Sequence, residues 1–132
     1  MARASNNPAL FAGFSNGEVG DILVGHVVAV SKSAENTVVR AKADDADRMP
    51  AIGFVKRVNA SKVIVQLNAV YRWPSTVNPG IESGKEYWVG TTAGGITDDP
   101  STISSGLKQL IGVGKKSPRH LIVRMDPLGI SL

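Results

Sequence analysis

Where apolar and polar positions alternate regularly along this chain they do so with a period of two, and no helical period persists over about ten residues. In the stretch from Lys62 to Val70, Val63, Val65, Leu67 and Ala69 fall on one face of an extended strand, and Ile64, Gln66 and Asn68 on the other. A second such strand runs from Leu121, where Leu121, Val123 and Met125 alternate with Arg124 and Asp126. Each strand is preceded by the same signature. Ile52-Gly53, the basic pair Lys56-Arg57 and a turn at Asn59-Ala60-Ser61 lead into the first; Ile111-Gly112, Lys115-Lys116 and a turn at Ser117-Pro118-Arg119 lead into the second. A repeated β-hairpin explains the match, with the glycine after each isoleucine marking a bulge or a close backbone approach. Ile22–Ala41 reads as a looser third relative.

Between the two copies, Gly84-Lys85-Glu86-Tyr87-Trp88-Val89 reads as an aromatic and β-branched strand. Gly94-Gly95 reverses the chain into a second strand at Ile96-Thr97, so the units are expected to be arranged around this central hairpin. Ile22–Val30 reads as one strand buried on both faces or as two strands bent at Gly25, and Thr37–Ala41 as a further strand. Many short strands separated by turn signals predict an all-β fold, a small sandwich or barrel of about seven or eight strands. Residues 1–19, with turn formers and isolated aromatic anchors, read as an extended N-terminal arm; residues 20–126 read as the β-domain, and 127–132 as a short apolar tail. On this division, removal of residues 2–19 is expected to leave the domain folded.

Composition narrows the function. With 42% apolar and 20% charged residues the chain is globular, and with no cysteine it has neither disulfides nor thiol chemistry. No apolar run is long enough to span a membrane, and the first twenty or so residues lack the apolar core of a secretory signal, so use without membrane passage is expected. The net charge of +4 is a mild excess spread along the chain, suited to a soluble basic surface or to an acidic partner.

A catalytic set is not apparent. His26 and His120 are isolated in the sequence, no serine sits in a Gly-x-Ser-x-Gly elbow, and no phosphate-cradling loop precedes a Lys-Ser or Lys-Thr pair. Asp44, Asp45 and Asp47 lack calcium-loop spacing and read as a solvated loop. The expectation is a protein that is not an enzyme, with no metal and no cofactor. Tyr71, Arg72 and Trp73, with the basic pairs, suggest a single-strand nucleic-acid binder, but Tyr87 and Trp88 are adjacent in a strand and face opposite ways, which speaks against a stacking platform. Trp73 and Trp88 are instead the candidates for exposed aromatics that could bind carbohydrate.

The run Gly84–Val89 with Gly94-Gly95-Ile96-Thr97, followed by Gln109-Leu110-Ile111-Gly112-Val113-Gly114 and a closing strand, resembles small β-rich bacteriophage virion proteins. These include capsid decoration (cement) proteins and modules of head or tail fibres. The resemblance spans about Gly20 to Asp126 and implies a homo-oligomer, with a trimer favoured, on the capsid surface of a virion, made in the host cytoplasm and bound to the major capsid protein. On that reading Leu10, Phe11 and Phe14 anchor the contact, and Lys56, Arg57, Lys115 and Lys116 meet acidic capsid surface. A fibre or host-surface carbohydrate module and a basic single-strand nucleic-acid binder are the alternatives.

Overall fold

The computed structural model describes residues 8–74 and 80–126, and the backbone of 130–131. The chain is all-β; its helical content is two single 3-10 turns, Ala46–Arg48 and Pro100–Thr102, among the described residues. The first half forms β1 (Phe11–Asn16), β2 (Val27–Val30), β3 (Thr37–Arg40), β4 (Ala51–Val58) and β5 (Lys62–Gln66). The second half forms β6 (Val70–Arg72), β7 (Glu86–Val89), β8 (Ile96–Thr97), β9 (Leu107–Lys108), β10 (Leu110–Lys116) and β11 (His120–Val123), and β12 is Ile130–Ser131. The strands are therefore shorter and more numerous than the expected seven or eight. β1 to β5 close into a barrel in the order β1-β3-β2-β4-β5; β6, β11, β10, β7 and β8 make an open sheet in that order; β9 pairs with β12.

The repeat noticed in the sequence extends over both halves. β4 lies between β2 and β5 as β10 lies between β7 and β11, β3 flanks β2 as β8 flanks β7, and β1 flanks β5 as β6 flanks β11. The registers agree in detail. Ile52 is the extra residue where β4 meets β2, and Ile111 the extra residue where β10 meets β7. Lys56 and Lys115 are the extra residues where β4 meets β5 and β10 meets β11. The turns before β2 and β7 match too: Gly25 N–H donates to the Val55 carbonyl and Gly84 N–H to the Gly114 carbonyl. The Gly84–Thr97 hairpin is thus one part of the second half, the counterpart of β2–β3, and not a centre with a copy on either side.

The glycines of the two Ile-Gly pairs have the same task. A Cβ on Gly53 would strike the carbonyl oxygen of Gln66 on β5, and one on Gly112 would sit 2.6 Å from the carbonyl oxygen of Ile122 on β11. Each bulge bends its strand at the point where the next strand comes too close for any side chain. In the first half the bend serves closure of the barrel.

Size at the interior positions explains why only the first half closes. Register places Ala12 and Val28 at the positions that Tyr71 and Tyr87 occupy in the second half. Valines suit the narrow interior of a five-stranded barrel, and its core contains Val28, Val38, Val55, Val63 and Val65. Two tyrosines do not fit such a space, so the second sheet stays open and lays its aromatic face on the outside of the barrel. The larger core lies there: Phe54 of β4 stacks on Tyr71 with ring centroids 5.0 Å apart and meets the edge of Trp73 at 5.0 Å. The Tyr71 hydroxyl donates to the Val55 carbonyl at 2.6 Å, satisfying its one polar atom inside that core. Burial pushes the Tyr71 phenol well above its ordinary pKa, so it stays a donor.

Two expectations are corrected. The chain does not enter the β-domain at Gly20: β1 pairs with β5 from Phe11 against Gln66 to Ser15 against Lys62, and with β3 at Ser15 and Asn16, so residues 11–16 are the staves that close the barrel. Residues 1–7 of the proposed arm lie outside the described residues. Ile22–Val30 is neither one strand nor two, since only Val27–Val30 is a strand. Gly25, at φ +100°, turns the chain, Ile22 is buried in the barrel core and β2 begins only at Val27. Of the tail, Ile130–Ser131 pairs with Leu107–Lys108 and the rest lies outside the described residues.

Candidate functional site

The proposed anchors lie on β1 and just before it, in two different settings. Leu10 and Phe11 are 55% and 50% exposed, large apolar side chains held at the barrel rim. Phe14 faces the opposite way from Phe11 and is half-buried against the barrel core. The Leu10 carbonyl accepts the Leu67 N–H, and the Leu10 N–H donates to the Asn68 side chain at 2.7 Å, which fixes the start of the strand. Leu67 and Phe14 also line an apolar cleft of about 510 Å³ with Val30, Pro50, Ile52 and Met125. Its walls offer almost no hydrogen-bonding group, so it suits apolar side chains and supplies nothing for acid–base chemistry.

The basic pairs are separated by the fold. Lys56-Arg57 sits on the barrel and Lys115-Lys116 on the second sheet, all four exposed. None of the four has an ion-pair partner among the described residues, in contrast to Arg40, Arg48 and Lys85. Lys115 and Lys116 are joined near the same hairpin by Arg72 of β6, which register sets opposite His120, itself opposite Lys116.

Trp73 is not an exposed aromatic. It is 1% exposed, packed edge-on against Phe54 and Tyr71 in the core between barrel and sheet. The expectation failed because Trp73-Pro74 looked like the end of a strand entering a loop, whereas the barrel covers it. Its Nε1 and the Nδ1 of His120 are buried without a hydrogen-bond partner among the described residues. Trp88 is half-buried and faces away from Tyr87, as strand alternation requires.

The most organised polar group in the molecule was not visible in the sequence. Glu18, between β1 and β2, receives Arg40 N–H at 2.7 Å and both guanidinium groups, Arg48 at 2.9 Å through each of two nitrogens. Burial by itself would raise the Glu18 pKa; hydrogen bonds from Arg48 and Arg40 outweigh it and hold the carboxyl at about 2. Glu18 and its two partners, Arg40 and Arg48, lie on three separate segments, which no spacing rule connects. It fastens the turn before β2 to the barrel wall, and its partner Arg48 also borders an open cleft of about 270 Å³ with Lys32, Val39 and Asp47. Nearby, His26 accepts the Leu23 N–H on Nδ1 at 3.0 Å, and burial, with the charge of Arg40, lowers its pKa. The aspartates of 44–47 are structural: Asp44 pairs with Lys42, and Asp45 caps the 3-10 turn through the Asp47 N–H. Among the described residues no three His, Cys, Asp or Glu side chains converge as a metal site.

No protein-family model matches the chain, and no curated protein or solved structure matches it either.

Proposed function

We propose that this chain is a non-enzymatic virion structural protein, a capsid decoration protein that binds the assembled shell as a homo-oligomer, a trimer by preference, and stabilises it. The observation that supports this reading best is the pair of exposed apolar side chains Leu10 and Phe11 at the start of β1, where the Leu10 carbonyl accepts the N–H of Leu67 on the wall of the apolar cleft. Exposed apolar side chains of this size on a well-packed scaffold mark protein contacts, and the backbone that carries them is already ordered by its pairing with β5, which lowers the entropy lost on docking. A partner that presents apolar side chains can fill the cleft while Leu10 and Phe11 are covered. Binding to the assembled shell and not to free subunits stabilises the shell by mass action, with no chemistry required of the decoration protein.

Cosedimentation with assembled shells tests the proposal, with light scattering for the mass of the free protein. The expected result is an oligomer that pellets with shells, and a Leu10→Ser, Phe11→Ser double variant that is folded but binds about tenfold or more weakly. Wild-type protein that stays in the supernatant at all shell concentrations overturns it.

A further inference from the structure

The repeat makes one surface stand out. Across the barrel, register puts Phe11, Gln66, Phe54 and Val27 in one row on the outer face. Gln66, Phe54 and Val27 of that row are buried, because the second sheet docks on them. The same row in the second half is Val70, Ile122, Val113 and Glu86. Here the row faces solvent: Val70 and Ile122 are each 38% exposed and Val113 is partly exposed. The fold therefore uses this face as a docking surface once, internally, and leaves its counterpart open with three apolar side chains in line.

Charge indicates what would cover it. The next row toward the β10–β11 turn is Arg72, His120 and Lys116, with Lys115 at the β10 bulge and Arg119 on the turn. The four cations of this group have no ion-pair partner among the described residues, and the acid nearest in the strand register is Glu86, at the far end of the apolar row. A second copy of the chain would bring cations against cations. Tyr71, Trp73 and Tyr87 are buried, and the half-buried Trp88 lies past Glu86, at the end of this face away from the cations, so a base held by the cations has no aromatic beside it to stack on.

We infer that the open face of the second sheet is a docking surface for an acidic protein segment that places apolar side chains on Val70, Ile122 and Val113 and carboxylates on Arg72 and Lys116. This goes beyond the virion reading and stands or falls separately from it, since it concerns a different face from Leu10 and Phe11.

The test uses the whole chain and defined probes: a fluorescein-labelled peptide of repeated Glu-Leu-Ser, an equally charged peptide of repeated Glu-Ser-Ser, and an oligo-thymidine of similar charge. Binding is read by anisotropy and mapped by backbone amide shifts. The Glu-Leu-Ser peptide is expected to bind tightest, with shifts centred on Val70, Arg72, Val113 and Ile122. Arg72→Glu with Lys116→Glu should weaken it about tenfold or more, Ile122→Ser several-fold, and Lys56→Glu with Arg57→Glu less than about twofold. Equal binding of the two peptides, tighter binding of the oligonucleotide, shifts centred elsewhere, or no binding at all overturns the inference. The shell-binding result of Leu10 and Phe11 does not bear on this outcome, so the two proposals fail independently.

Discussion

Glu18 shows how one side chain can settle a local structure that its neighbours in sequence do not. Its carboxyl is held at about 2, well below the ordinary value of 4.5, so the folded state binds the proton more weakly than the unfolded one. The stabilisation is therefore fully present above pH 4.5 and is lost as pH falls toward 2. Glu18→Gln should cost about 2 kcal/mol at neutral pH, seen as a lower urea midpoint, and should flatten the acid limb of the stability curve. An unchanged acid limb would show that the network contributes nothing. The glycines of the Ile-Gly pairs make the opposite kind of demand, for the absence of an atom. Gly112→Ala would push a methyl group into the Ile122 carbonyl and the Leu121 side chain, and about 2–3 kcal/mol of destabilisation is expected in the same urea titration. These glycines could be read from the sequence because an apolar strand has no other use for them. Glu18 could not, because its partners Arg40 and Arg48 lie 22 and 30 residues away.

At the scale of elements, β1 is the instructive case. Its sequence, Phe-Ala-Gly-Phe-Ser-Asn, contains no β-branched residue and reads as a loose segment, yet it carries the closing pairs with β5 and β3. A small residue suits the position of Ala12, which register sets at the narrow interior, whereas Gly13 is exposed and a Cβ there would meet only the Ile64 side chain at 3.5 Å. Deleting residues 2–16 should therefore open the barrel, leaving β3 and β5 as free edges. The expected outcome is loss of a cooperative thermal transition by circular dichroism, together with association by light scattering. A truncated chain that melts as sharply as the full chain would return these residues to the role of an arm. The repeated hairpins were easier to recognise, because a bulge isoleucine, its glycine and the basic bulge residue recur at a constant offset in both halves.

For the whole molecule, the joint between barrel and second sheet is the decisive contact. Phe54 belongs to the barrel and is enclosed by Tyr71 and Trp73 of the second half, so Phe54→Ala should cost about 3–5 kcal/mol. Near-ultraviolet and far-ultraviolet signals of the native chain should melt together; separate transitions would mean that the halves are stable apart. The sequence by itself determined the all-β class, the alternating strands, the bulge glycines and the internal repeat, because all of these rest on local period and local sterics. Tertiary structure alone decided that one half closes and the other stays open, since that depends on whether Ala12 and Val28 or Tyr71 and Tyr87 must share an interior. It also decided that Trp73 is core, that Leu10 and Phe11 are surface, and which of two equivalent sheet faces is covered. Burial is a property of what packs across from a residue, and the residues across from these lie tens of positions away or on the other half of the repeat.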